Sequence, residues 1–490
     1  MSLSSRLHTP KKELKNIWPA LIALATAETL AAFETASAAQ LLYAPDALFG
    51  GVDLPTLSWI ITAFMLAGAV SVAFAGRLGD QFGRKKVLMI IIGLSIAGSL
   101  ISVLAPNIVV LIAGRALQGI AAAILPLGLG IIRSVFPEER HGLGIAVVTT
   151  TALIAGALGM LASGFILDAG SWRLIFVVSA ILGIVAGLLT HFLVPANQAA
   201  TLATDNRVDY LGGTLFGAGI AFVLYGVTTA QKTDWSDALV LLYLAIGVLG
   251  LLLWVWWEKS IDYPMINLSR FRNRKFATGM AATALLSIGP IGMINVFVTS
   301  INRTDGSVHD NAVGIGMSAS LTGIIGTVGA ALAFACSPLI GKIATRWGAK
   351  SSLLIGCIIE ILGFSLFLID PTSAMLVVSS IWIVTAGTAF IYSGMPTIIA
   401  ESVPGEEVSA ATGLNAVIRT TFQGVAATVV AILMSINSVR VENTEVMSTH
   451  GLNWVVAVNI ALVVLAMFLL IRLPAFNSEI KIENQAKQKA

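Results

Sequence analysis

Fourteen long runs of apolar residues divide the chain, at about 17–43, 55–75, 87–104, 107–135, 142–167, 174–194, 209–228, 237–257, 276–300, 313–340, 351–369, 372–400, 409–436 and 453–473. Each is near the ~20 residues that a helix needs to cross a bilayer core. The pattern predicts an all-α polytopic membrane protein of fourteen spans. Polar residues gather in short segments between the runs, in a basic head (Met1 to Lys15) and in a polar tail after about residue 473. The first run is long and interrupted by glutamates, so it is expected to stay as a span rather than be removed as a signal peptide.

Composition agrees with this pattern. The 490 residues are 57% hydrophobic and 11% charged, against roughly 25% charged in soluble domains. Mean hydropathy is +0.89. Charge then fixes an expected orientation. With the head inside, twenty-three of the 29 Lys and Arg fall in cytoplasmic segments. Only Arg173, Lys232, Arg303 and Arg440 are external, and Arg115 and Arg419 lie deep within spans, with Arg133 and Arg472 at cytoplasmic span ends counted inside. That asymmetry fits the positive-inside rule with both termini cytoplasmic, and a missed span would invert every later loop. The net charge of +3 reflects these loops rather than a nucleic-acid surface. The two cysteines, Cys336 and Cys357, sit in apolar runs, and the five histidines have no metal-ligand spacing. Neither a disulfide scaffold nor a metal site is expected.

The segment after span 2, GRLGDQFGRKK at Gly76 to Lys86, concentrates five charges between two spans. Its glycines suggest a tight loop, and Asp80 among cations suggests a charge-stabilised latch. A second copy, GKIATRWGAK at Gly341 to Lys350, follows span 10, with Thr345 in place of Asp80. Internal repeats of six spans are a common transporter architecture, with the site between the halves. The first copy resembles the span 2–3 loop of the major facilitator superfamily, G-x-L-x-D-x-x-G-R-K/R. VDYLGG at Val208 to Gly213 and PMINLSRFRNRKF from Pro264 to Phe276 resemble the linkers of its fourteen-span drug:proton antiporter branch. The resemblance implies a major facilitator fold: two six-helix bundles, 17–194 and 276–473, plus two extra spans within a 195–275 linker. The head (1–16) and tail (474–490) would be cytoplasmic. It also implies that Gly76, Asp80, Gly83 and Arg84 form a conformational latch.

Charged groups inside a bilayer are costly and are functional candidates by default. Here they are Glu28 and Glu34 in span 1, Arg115 in span 4, Glu360 in span 11 and Arg419 in span 13. Glu34 lies about 13 Å below the outer end of its span and Arg115 about 12 Å, at 1.5 Å per residue. Burial and a nearby cation shift a carboxyl in opposite directions, so Glu34 suits reversible protonation, and a structural buried ion pair is the alternative. The resemblance adds that FET (Phe33 to Thr35) stands where related antiporters have Leu-Asp-x-Thr, and RALQG (Arg115 to Gly119) matches R-x-x-Q-G of span 4. Glu28 is about 240° around the helix from Glu34 and either borders the same cavity or packs. Glu360 is expected to have a packing or interfacial role.

Span 5 departs from the exchanger pattern G-x-x-x-G-P-x-x-G-G. It keeps Gly156, Gly159 and Gly164 but has Met160 for proline and Ser163 for a glycine. SWR, Ser171 to Arg173, again resembles the branch. In span 13, Asn415, Arg419 and Gln423 share one face. With Gln118, the aromatics Phe33, Trp59, Tyr392 and Phe422 complete a substrate-binding set, a cation-tolerant pocket. The expected protein is a monomeric secondary exporter in the inner membrane of a bacterium, moving amphipathic cationic drugs outward as protons enter. No cofactor beyond the proton gradient, no metal and no nucleic acid are expected. The alternative is a proton-coupled transporter of a metabolite or organic anion that uses Arg115 and Arg419. A membrane enzyme would need a catalytic constellation or soluble domain that the sequence does not offer.

Overall fold

The computed structural model describes residues 16–41, 54–137, 140–195, 209–230, 233–262, 268–294, 315–403, 408–436, 438–441 and 444–473, with Phe49, Val52, Pro264, Ile301 and Val313. The expectations for residues 1–15, Val208, Lys232, Arg303 and the tail lie outside these. So do those for the side chains of Gly76, Arg77, Asp80, Gly341, Thr345 and Arg440.

The fold is helical. Its helices are α1 (Trp18–Gln40), α2 (Leu54–Phe82), α3 (Arg84–Val103), α4 (Ile108–Gly119), α5 (Ile124–Val135), α6 (His141–Asp168), α7 (Arg173–Leu193) and α8 (Tyr210–Ala230). There follow α9 (Ala238–Ser260), α10 (Arg274–Leu286), α11 (Ala319–Ala335), α12 (Ser337–Trp347), α13 (Ala349–Leu366), α14 (Ala374–Ala400), α15 (Val408–Ile436) and α16 (Thr449–Ile471). Eleven helical stretches among the described residues are long and apolar enough to cross a membrane. Two more, Thr56–Val72 in α2 and α11, are apolar but shorter, and α1 coincides with the first expected span.

Two irregular stretches shape the rods. The 3₁₀ turn Ile120–Ala123 joins α4 to α5, and the π-helical turn Ser287–Met293 continues α10. Pro290 lies inside that turn and Gly289 has a non-helical ψ of −105°, as expected where proline removes a backbone donor. One element was not expected. Strands β1 (Ser438–Val441) and β2 (Thr444–Met447) form an antiparallel hairpin with Ser438 opposite Met447.

The stretch expected as a tight loop is mostly helix. α2 continues through Gly76 and Gly79 to Phe82, and Gly83 alone turns the chain, at φ 90°. The second copy does the same: α12 runs to Trp347 and Gly348 turns at φ 84°. A positive φ with extended ψ is a region that residues with a Cβ avoid, which is why both copies carry glycine. The repeat extends to contacts. Lys85 Nζ donates to the carbonyls of His191 (2.7 Å) and Val194 (2.6 Å), closing the end of α7. Lys350 Nζ donates to those of Ile471 (2.9 Å) and Leu473 (2.7 Å), closing the end of α16. Cations at helix C-termini satisfy free carbonyls and oppose the dipole.

The first half packs α1 against α6 and α7, and α3 against α4 and α7, around Leu21, Leu24, Leu88, Ile92 and Leu127. In the second half α13 packs along α14, with Leu353, Ile391 and Leu470 inside. α8 and α9 form a pair closed by glycines, since a Cβ on Gly247 would lie 2.6 Å from Val223 N. The VDYLGG motif starts this pair: Asp209 Oδ1 accepts from Gly212 N (2.8 Å) and from Trp257 Nε1 of α9 (2.7 Å). Much of α9 is exposed apolar surface, including Leu242, Leu249, Leu252 and Trp256.

Candidate functional site

Glu34 is fully buried between α1, α3, α4 and α7. Four donors converge on its Oε1: Ser179 Oγ at 2.6 Å, Ser95 Oγ at 2.7 Å, Gln118 Nε2 at 3.0 Å and Ser99 Oγ at 3.3 Å. Its Oε2 is buried and without a partner. Helical periodicity puts Ser95 and Ser99 on one face of α3, and Arg115 and Gln118 on one face of α4. Missing side chains allow the helices to close in. A Cβ on Gly98 would lie 2.8 Å from Gln118 N, and one on Gly119 would lie 2.1 Å from Phe64 O.

Arg115 does not meet the Glu34 carboxylate directly, so the alternative of a direct buried ion pair is not what forms. Its Nη2 donates to the Glu34 backbone carbonyl (3.0 Å), Nη1 to Gln118 Oε1 (2.8 Å) and Nε to Ile60 O (3.4 Å). The guanidinium also sits 4.3 Å from the centre of the Phe64 ring. Gln118 therefore bridges the two charges, accepting from Arg115 and donating to Glu34. Equal depth on two helices fixes height but not azimuth, and the guanidinium turns toward carbonyls. The chemistry available is reversible protonation. Donors stabilise an anion on Oε1, while the bare Oε2 can take a proton without breaking any of them.

The serines were missed by the sequence reading. Their signal was a hydroxyl at every fourth or third position of span 3, Ser95, Ser99 and Ser102, although spans often carry serines that bond their own backbone. Glu28 is also buried in α1, and its Oε2 has no partner. Arg84 donates through Nη1 to the carbonyl of Gly130 on α5.

The proposed substrate-binding set does not converge as one group. Phe33 is buried against Gly159 of α6. Trp59 turns to α8, with its Nε1 3.4 Å from Thr228 Oγ1 and its ring edge-on to Tyr225. Asn415 is buried and donates to Thr283 Oγ1 of α10 at 2.8 Å. Tyr392, Gln423 and Arg419 do gather: Gln423 Nε2 donates to Tyr392 Oη at 2.7 Å and Arg419 lies 4.8 Å from the ring centre. Phe422 is half-buried beside them in sequence on α15.

Several polar contacts between the halves lie away from the ends marked by Gly83 and Gly348, and a separate apolar cluster brings Ala69 of α2 together with Leu414 and Val417 of α15. Asp168, at the end of α6, accepts from the first backbone N–H groups of α11, Ala319 at 3.1 Å and Ser320 at 2.9 Å. Thr327 Oγ1 donates to Ala157 O (2.9 Å), and a Cβ on Gly164 would lie 2.4 Å from Ala319 O. Without the proline, α6 is one continuous helix, and Met160 packs on Gly323 and Gly326. On the other flank Thr62 Oγ1 donates to Gly424 O (3.1 Å) and lies 2.9 Å from Thr428 Oγ1.

This arrangement of paired helical halves around buried polar groups is that of a membrane transporter, and the comparisons agree. The profile of the Major Facilitator Superfamily matches residues 14–304 and 276–490. The chain belongs to this superfamily of secondary transporters. It is 27% identical over 385 residues to multidrug resistance protein Stp of Mycobacterium tuberculosis, covering 75% of this chain and 69% of Stp. It is 29% identical over 349 residues to a uridine/deoxyuridine transporter of Lactococcus lactis, covering 69% and 70%. Among solved structures, a POT peptide transporter in complex with sulfate matches with a TM-score of 0.67 over 94% of this chain and 95% of that one, at 14% identity. That likeness bears on the fold alone.

Proposed function

We propose that the chain is a fourteen-span proton-coupled antiporter that exports amphipathic cationic drugs across a bacterial inner membrane, with both termini cytoplasmic. The observation that carries this reading is the fully buried Glu34 carboxyl, with donors on one oxygen and the other bare. Glu34 carries the proton. Arg115 holds the α1 backbone and acts on the carboxyl through Gln118. Asp80 and Arg84 form the cytoplasmic latch, and the Asp168 and Thr62 contacts close the outer side. The bundles are 17–194 and 276–473, with α8 and α9 as the insertion. The likeness to Stp supports drug export over other cargo.

The test is ethidium efflux from cells expressing wild type or Glu34→Gln, with and without a protonophore. Wild type should export until the protonophore is added, and Glu34→Gln at equal expression should not. Transport of a nucleoside-like metabolite is a second reading, supported by the uridine/deoxyuridine relative. Saturable uridine transport with no ethidium export would favour it.

A further inference from the structure

Glu360, on α13, is the remaining fully buried carboxyl among the described residues in the second half. Thr388 Oγ1 of α14 donates to its Oε1 at 2.6 Å, and its Oε2 is buried without a partner. We propose that Glu360 is a second proton-exchanging acid, joined through Thr388 to the Tyr392, Gln423 and Arg419 cluster. This inference rests on the proton-coupled reading of Glu34 and extends it to a second site.

Three observations converge. The repeat pairs Gly83 with Gly348, Lys85 with Lys350 and Gly98 with Gly363, each 265 positions apart, as 348 − 83 shows. The same offset carries Ser95, a Glu34 partner, onto Glu360. The second half thus places an acid where the first half places a hydroxyl that holds one. Next, the position is built for it: a Cβ on Gly387 of α14 would lie 2.9 Å from Glu360 Cγ. Last, Thr388 and Tyr392 are four apart on α14 and so share a face. Thr388 is half-buried, and Tyr392 is 37% exposed. The hydroxyl that holds the buried carboxyl therefore lies on the same face of α14 as a partly exposed polar cluster.

The groups facing Glu360 are few. Cys357 lies one turn away on its own helix, α14 brings Thr388 and, beyond it, Tyr392, and α16 carries no titratable residue between His450 and Arg472. No cation is among them, so a permanently charged Glu360 would bear the full cost of an intramembrane charge. In the exchange, an O–H bond forms on the carboxylate with a proton taken from water by way of the Thr388 hydroxyl. It breaks when the proton returns to water, and no oxidant or reductant takes part. Two acids make the cycle electrogenic for a monocation, so membrane potential adds to the pH gradient as a driving force.

The test uses the purified full chain in proteoliposomes with ethidium as probe, counting protons moved per ethidium. Wild type is expected to move two and to speed up with membrane potential, while Glu360→Gln moves one and ignores the potential. A wild-type ratio of one, an unchanged ratio in Glu360→Gln, or loss of the second proton in Glu28→Gln instead would overturn the proposal. Infrared pH-difference spectra need no transport. Glu360→Gln should remove one protonated-carboxyl component, and Thr388→Val should shift it. Absence of that component from the wild-type spectrum also overturns the proposal. A spectrum unchanged by Glu34→Gln, with Glu360 still titrating, would instead sink the Glu34 reading alone.

Discussion

The two halves share a hinge and differ in how they hold an acid. In the first, Glu34 receives four donors from three helices and has a guanidinium one bridging amide away. In the second, Glu360 has one donor and no described cation nearby. The hinge is duplicated down to the glycine φ and to the lysine that closes a distant helix end. Backbone conformation and end-capping, which the architecture needs, are kept in both copies, while the polar interior has diverged. The shared backbone device and the buried polar groups are therefore separable layers of this fold.

Substitutions test that contrast. The largest effect should come from Ser95→Ala combined with Ser179→Ala. Hydrogen bonds to a charged group are worth roughly 1.5–3 kcal/mol each, so coupled ethidium export should fall by at least about tenfold at equal expression. Gly83→Ala and Gly348→Ala should each destabilise the protein by about 1–3 kcal/mol, read as matching drops in thermal unfolding in detergent. A drop at only one site would show that the hinge is not a shared device. Asp168→Ala removes the side-chain acceptor that caps α11, worth about 1 kcal/mol. Spin labels at Ala169 and Leu321 should then report a larger separated population, and an unchanged distance distribution would remove Asp168 from the outer seal. Smallest are Lys85→Met and Lys350→Met, at about 0.3–1 kcal/mol each. Both should lower the unfolding temperature slightly and by similar amounts.

Much of this was legible in the sequence because bilayer thickness imposes length and polarity on each span. The helices, the repeat and the common depth of Glu34 and Arg115 follow from that constraint. Azimuth does not. Which way Arg115 turned depended on the Ile60 and Glu34 carbonyls, and the serine donors look like any hydroxyls in a span. The aromatics Phe33 and Trp59 were absorbed by α6 and α8 because large rings fill helix contacts wherever glycine or threonine leaves room. The glycine-rich charged stretch read as a loop, yet two of its glycines are helical, since a helix tolerates glycine at a cost of only about 1 kcal/mol. The β1–β2 hairpin had no apolar run to announce it.

The central claim is that the transported proton sits on Glu34. The direct measurement is uphill ethidium accumulation in proteoliposomes under an imposed pH gradient, compared with ethidium counterflow, which needs no gradient. Glu34→Gln should retain counterflow and lose the accumulation, roughly tenfold per pH unit for each proton exchanged, that a pH gradient sustains in wild type. Uphill accumulation by Glu34→Gln at the wild-type level would contradict the account.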